Sequence, residues 1–247
     1  MVLAQSGRGV HGVIGVPFAV MSAPITVHLH VDPACPWAWL TSRWLAEVER
    51  VRPVHVVTRL FDLAEINRET DRGDERMARS HSAGEQALRV LVGVRRAGGD
   101  EAVGRAYAEI GEAYHERAEP LGEPATLRAA LERAGLDPEI ADRALDDDST
   151  MDELLALHRE ACERGAFGVP AICFEEGHAS FGPVVDRRLD PEEAGELWDH
   201  ASWLMRQGWF YEMKRNRTTR ADIGRYRVQA EQELKGSSER AKAAPQA

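Results

Sequence analysis

Cys35, followed by Pro36, Trp37 and Ala38, is the residue of this chain best placed for covalent chemistry. A β-rich run stops at Asp32-Pro33 and helical periodicity begins at Pro36, so Cys35 is expected at or next to a helix N-cap. Unpaired amides and the positive end of the helix dipole stabilise a thiolate there, lowering the pKa from about 8.5 to roughly 3.5–7.5. Cys35 is then a nucleophile at neutral pH; an inert buried cysteine is the competing reading. Trp37, in the loop-to-helix turn, is expected to line a pocket for flat or apolar substrates, because an aromatic face can stack on a planar ring. Trp44, spaced with Leu40 and Val48, is expected in the core.

His115, within Gly111-Glu112-Ala113-Tyr114-His115, has the side chain to give a proton to a leaving group, against the plainer reading of a solvated helix histidine. His28 and His30 share one face of a strand, as a pair of metal ligands would. No third ligand is visible near them, and catalytic zinc needs three, so no metal is expected. Asp146-Asp147-Asp148 reads as a solvated helix end.

The elements that must position these residues follow from periodicity. Ile25 to Val31 alternates with period two and carries β-branched residues, which reads as a strand. From Pro36 to about Arg50, Trp37, Leu40, Trp44, Leu45 and Val48 recur at helical spacing, with proline in the first turn where no backbone donor is needed. Val54 to Leu60 reads as a second strand, giving a β-α-β unit with a right-handed crossover. Residues 64–165 hold no convincing strand and divide into four or five helices at Gly98-Gly99, Pro120 to Pro124 and Asp137-Pro138. Ala171 to Phe174 and Ala179 to Phe181 have hairpin spacing, and Pro191 to Met205 reads as a covering helix with acids in its first turn. Beyond Trp209 the chain becomes charged, and from Gly236 its composition is that of a solvated, disordered tail.

The chain has 247 residues, of which 43% are hydrophobic, enough for a substantial core. Its 41 acidic and 31 basic residues give a net charge of -10, which argues against general nucleic-acid binding. Three cysteines, Cys35, Cys162 and Cys173, cannot make a dense disulfide framework, so a reducing cytoplasm is favoured. No apolar run is long enough to span a bilayer. Residues 1–22 resemble a signal peptide poorly and are expected to be a disordered extension or an over-called start, with Met21 as initiator. Only three of the basic residues are lysine, a bias that suggests a GC-rich genome.

The order β-α-β, helical block, β-β-α is that of an α/β, thioredoxin-like fold (residues 23–63 and 166–208) with an inserted all-helical domain (64–165), followed by a C-terminal segment (209–247). In such folds the proline matching Pro170, in Gly168-Val169-Pro170, is cis and faces the reactive cysteine, leaving the backbone of Val169 free to pair with substrate. Residues 31–44, VDPACPWAWLTSRW, with Gly168-Val169-Pro170, residues 179–184, residues 193–198 and Tyr211-Glu212-Met213-Lys214-Arg215, resemble the DsbA-like thioredoxin superfamily. Within it the chain is most similar to the actinobacterial mycothiol-dependent nitroreductase group, over about residues 25–219.

The resemblance implies a cytosolic thiol-dependent reductase that uses mycothiol, with no tightly bound cofactor and no flavin. It implies Cys35 as the active-site cysteine and Pro170 as the cis-proline, and it places Asn67 and His115 in a helical lid over the thiol. The sequence departs from the group at Ala38, where a second cysteine is common. Positions i and i+3 are helix neighbours, so the usual resolving thiol is missing. Cys173 is expected about 10 Å from the site, beyond the roughly 7 Å Cα separation a disulfide tolerates, and Cys162 is expected to pack at a helix end.

A monothiol enzyme then needs a small thiol, mycothiol or similar, to resolve a mixed disulfide formed with a small electrophilic or disulfide substrate. A kappa-class glutathione-transferase-like or 2-hydroxychromene-2-carboxylate-isomerase-like enzyme is the alternative, in which Cys35 only activates the bound thiol. A redox-inactive binding module is the third reading. No nucleic acid or membrane partner is expected, and a homodimer is one assembly the sequence leaves open.

Overall fold

The computed structural model describes residues 24–70, 74–175 and 177–243, with side chains of the last helix to residue 233. The extension expected over residues 1–22 lies outside the described residues. Strand β1 (Ile25–Val31) runs parallel to β2 (Val54–Leu60), in a register that sets Ile25 opposite Val54 and Val31 opposite Leu60. On its other side β1 pairs antiparallel with β3 (Ala171–Phe174), and β3 pairs with the two-residue β4 (Ser180–Phe181). The sheet order is therefore β2-β1-β3-β4, with the strand that leads to Cys35 in the interior. Helix α1 (Pro36–Val51) makes the crossover from β1 to β2.

Strand alternation assigns the two faces. Val27, Leu29 and Val31 share one of them, and Val27 stands opposite Phe174. The Phe174 ring lies 6.2 Å from Trp198 of helix α7 (Pro191–Met205), which in turn lies 6.3 Å from Trp44 of α1. Trp44 Nε1 donates to the carbonyl of Ala194 at 3.0 Å, so α1 and α7 together cover this face, with Trp44 in the core as expected. Each fully buried Leu or Val here contributes about 1.5–3 kcal/mol relative to exposure.

Between β2 and β3 every described element is helical: α2 (Leu63–Ile66), α3 (Glu75–Gly111), a π-helical turn (Glu112–Glu116), α4 (Pro124–Arg133), α5 (Ile140–Asp146) and α6 (Ser149–Glu163). The break expected at Gly98-Gly99 is a kink inside α3, where Gly99 takes φ 71, a left-handed backbone that glycine adopts without a Cβ clash. Helices α3 and α6 both pack on β2.

The C-terminal segment differs from expectation. Helix α8 (Gly224–Ala243) continues through Gly236, where a disordered tail is expected. Its start is fastened by the Gly224 amide donating to Glu116 Oε2 at 2.9 Å, and Ala221 and Ile223 just before it are buried. That docking supplies the nucleating constraint that composition does not reveal. The second hairpin strand is also shorter by one residue than the alternation predicts, because Ala179 turns its amide to Arg164 O instead.

Candidate active site around Cys35

Cys35 is the N-cap residue of α1, with extended φ/ψ of -83 and 112. Its Sγ accepts from the Ala38 amide at 3.4 Å, while Pro36 at the first helical position brings no N–H to be satisfied. The Cys35 amide donates to Asp32 O at 3.0 Å, which closes the turn between β1 and α1. Across the site the thiol donates to Val169 O at 3.7 Å, and the Val169–Pro170 peptide is cis. The Gly182 amide donates to Pro170 O at 2.8 Å and Thr41 Oγ1 to Pro183 O at 2.9 Å, tying the hairpin to α1. Phe167, 69% exposed, stacks on Phe181 with ring centroids 5.5 Å apart, beside this loop.

The protonation state corrects the expectation of a thiolate. Cys35 is only 7% exposed, and burial pushes its pKa up to about 11, with the neighbouring Asp32 carboxylate adding to the effect. The amides of Ala38 and Trp37 and the charge of Arg217 act in the opposite direction but do not prevail. Helix-end stabilisation requires only a position in sequence, whereas desolvation depends on what the rest of the chain lays over the sulfur. In this conformation Cys35 is a neutral thiol.

Beneath it lie carboxyl groups that sequence reading missed. Asp32 is fully buried, and its oxygens accept from the amides of Ala34 at 2.7 Å and Leu63 at 2.9 Å. Burial pushes its pKa up to about 7 despite those bonds. Gly84 of α3 lets the helix come this close, since a Cβ there would stand 2.5 Å from Asp32 Oδ1. Asp62, the second residue after β2, is also buried and raised by burial, and its amide donates to His158 Nδ1 at 3.2 Å. The Asp32-Pro33 pair reads in sequence as a strand stop; a carboxylate three residues before a cysteine was the available signal.

Trp37 is half-buried, and the Arg217 guanidinium sits over its ring at 4.8 Å, bringing the C-terminal segment to the site. Trp39 is wholly buried, and its Nε1 donates to Glu116 Oε1 at 2.8 Å. Glu116 thus joins α1 to the start of α8, and Arg188 at 3.1 Å and Arg227 at 3.7 Å complete its surroundings.

Two expected site residues take other roles. His115 is buried and stacks on Trp39, and its Nε2 lies 2.9 Å from Pro33 O. A carbonyl only accepts, so Nε2 carries the proton; burial pulls the pKa down to about 3. A ring held neutral and bonded to backbone is no general acid, nor is it solvated; it props the turn before Cys35. Asn67 caps α2 and donates to Leu63 O at 3.0 Å, so its described contacts are local and not with the thiol. All three cysteines are free: Cys173 donates toward Phe174 O and Gly177 O, and Cys162 lies 3.4 Å from His158 Nε2. Among the described residues no group of three or more His, Cys, Asp or Glu is arranged to hold a metal, and no helix is long and apolar enough to cross a membrane.

Residues 34–215 match the family model described as Rv2466c-like, mycothiol-dependent nitroreductase Rv2466c. The uncharacterized protein Rv2286c of Mycobacterium tuberculosis (strain ATCC 25618 / H37Rv) is 33% identical over 199 residues, covering 80% of this chain and 84% of that protein. Among solved structures, 2-hydroxychromene-2-carboxylate isomerase is 17% identical with TM-score 0.50 over 74% of this chain and 97% of that chain. The cytosolic disulfide reductase DsbM from Pseudomonas aeruginosa is 19% identical with TM-score 0.48 over 73% of this chain and 100% of that one.

Proposed function

Because the chain belongs to the Rv2466c-like family of mycothiol-dependent nitroreductases and is an oxidoreductase of DsbA-like, thioredoxin fold, we propose that Cys35 is its single redox thiol and that mycothiol, or a similar small thiol, completes turnover. The observation that carries this reading is the convergence on one sulfur of the α1 N-cap and the cis Val169–Pro170 peptide, with Sγ 3.7 Å from Val169 O. Pro36 and Ala38 shape the helix end, Val169 and Pro170 form the groove, and Trp37 with the Phe167–Phe181 pair offers aromatic surface to an apolar electrophile or disulfide. The setting proposed is the cytoplasm.

With a disulfide substrate the steps balance. The Cys35 sulfur forms a bond to one substrate sulfur, the substrate S–S bond breaks, and the Cys35 proton leaves on the departing thiol. A first mycothiol attacks Cys35 Sγ and releases the second substrate half as a thiol. A second mycothiol attacks the sulfur of the first, returning Cys35 as a thiol and leaving oxidised mycothiol. The resting thiol is buried and neutral, so substrate entry must accompany its deprotonation.

That neutral thiol favours a second reading as well. A protonated Cys35 can donate a hydrogen bond to a bound small-molecule thiolate and so lower its pKa, without becoming covalent itself. Oxidised mycothiol separates the two. A mixed disulfide confined to Cys35, absent in Cys35→Ser, supports the redox thiol. Mycothiol-dependent turnover with no adduct supports the activating role, and neither adduct nor turnover would leave only a binding module.

A further inference from the structure

The geometry points to a second ligand site, lined by none of the residues of the thiol groove: a cavity of about 120 Å³ between the sheet and helices α3 and α6 that takes a phosphate-sized oxyanion. Local periodicity assembles it. His28 and His30 stand two residues apart on β1 and so share the face opposite Val27 and Leu29, and Arg59 of β2 is the register partner of His30. Glu160 lies in the last turn of α6 and Arg164 caps that helix four residues on, and Arg95 lines the cavity from α3.

Three guanidinium groups and one carboxylate line this space, where burial and the nearby arginines hold both imidazoles below their ordinary pKa; Asp100 and Glu153 offset Arg59 and Arg95 from outside the lining, so Arg164 is the charge left to an incoming anion. Arg164 is held by the carbonyls of Phe174 at 2.8 Å and Glu175 at 3.1 Å and lies 3.3 Å from His28 Nδ1; among the described residues no carboxylate pairs with it. Arg59 and Arg95 share Asp100, at 2.7 and 3.6 Å, and Arg95 also meets Glu153 at 2.9 Å. His30 is 5% exposed and its Nδ1 has no hydrogen-bond partner, an unmet polar group in the cavity wall. Carbonyl-held and shared guanidinium groups keep donors available, and planar N–H forks match the oxygens of a tetrahedral anion. The charges of Arg59 and Arg164 that help hold His28 below its ordinary pKa are those an oxyanion would neutralise.

Inorganic phosphate is the probe, titrated into the full chain at constant ionic strength set by sodium chloride, with the ring resonances of His28 and His30 as readout. Saturable shifts of both rings and a rise in their titration midpoints are expected. Among the described residues exposed Glu160 is the one acid lining the cavity, so Glu160→Gln tightens binding by about three- to tenfold and Arg95→Gln weakens it comparably, as removal of one unit charge beside the anion does. Glycerol 3-phosphate forms the second arm. Saturation by phosphate alone assigns a closed site for the free ion, and saturation by both assigns a phosphoryl group carried on a larger molecule. Shifts that track chloride equally well, or identical affinities in Glu160→Gln and the unaltered chain, overturn the proposal.

Discussion

The thiol of Cys35 donates to the carbonyl oxygen of Val169 at 3.7 Å, across the 134 residues that separate the first helix from the cis-proline loop. This one contact ties the protonation of the sulfur to the groove beside it: an extended substrate that competes for Val169 O also removes the acceptor of the resting thiol.

Alkylation of Cys35 should therefore be slow at neutral pH. A thiol titrating near 11 is ionised at pH 7 to about one part in ten thousand, and its greater basicity offsets only part of that. Iodoacetamide labelling, located by peptide mass spectrometry, is expected to be about 10- to 100-fold slower at Cys35 in the native chain than in urea. The native rate should keep rising well above pH 9, and a plateau near neutrality would show that the sulfur is not desolvated as described.

Asp32 sets part of that barrier. Its folded pKa, about 7, lies above the ordinary 3.8, so the fold retains a proton that the unfolded chain releases. The resulting stability is fully present below about pH 4 and is lost as pH rises through 7. Asp32→Asn is expected to flatten urea-measured stability across this window and to lower the midpoint of Cys35 alkylation, since a like charge beside the sulfur is gone. At pH 4 the variant is weaker by about 1–3 kcal/mol, because the amide turns its NH2 toward either the Ala34 or the Leu63 donor. An unchanged alkylation midpoint would uncouple the two groups.

The sheet, the position of Cys35 at the start of α1 and the helical stretch between β2 and β3 were legible because each rests on local signals: period-two alternation, Pro36 at a first turn and glycine or proline breaks. The chemistry of the site was less so. Whether the Cys35 sulfur is ionised depends on Val169 and Arg217, 134 and 182 residues away, and no local pattern announces that they converge. His115 illustrates the same gap: its helix register is readable, but its burial comes from Trp39 and from the turn at Pro33.

Ala38→Cys tests the proposed monothiol mechanism by restoring a thiol where a resolving one would stand. Ala38 follows Cys35 by three residues and its amide already contacts Sγ at 3.4 Å, so a cysteine there starts within reach of a disulfide. Mild oxidation should join residues 35 and 38, read as loss of both free thiols by mass, while the unaltered chain keeps Cys35, Cys162 and Cys173 free. Ala38 has no exposure, so the added sulfur costs about 1–3 kcal/mol in crowding. Failure to join under conditions that oxidise a free dithiol would mean that a sulfur at residue 38 does not come within bonding range of Cys35 Sγ.

His115 predicts an acid limb. Its folded pKa, about 3, lies below the ordinary 6.5, so the stability it contributes is present above pH 6.5 and is lost as pH falls toward 3. His115→Phe keeps a ring against Trp39 but deletes the donor to Pro33 O, costing about 1–3 kcal/mol at pH 7. Stability should then fall less steeply from pH 6.5 to 4 than in the unaltered chain, where His30 contributes a loss of the same sign. Parallel curves for the two proteins would assign the acid limb elsewhere.

Glu116 is the residue on which the C-terminal segment hangs, and its two oxygens are not interchangeable with an amide. Oε1 accepts from Trp39 Nε1 at 2.8 Å and Oε2 from the Gly224 amide at 2.9 Å, so Glu116→Gln must point its NH2 at one of two N–H donors. Either choice leaves a donor without an acceptor and removes the charge that faces Arg188 and Arg227, for a loss of about 1–3 kcal/mol. If the indole bond survives, α8 is released at its first residue, and limited proteolysis should cut near Gly224 sooner than in the unaltered chain. Because Arg217 lies seven residues before that anchor and its charge lowers the Cys35 pKa, release of α8 should also slow Cys35 alkylation at neutral pH. Faster cleavage with unchanged alkylation would show that the placement of Arg217 near the sulfur does not depend on the fastening of α8.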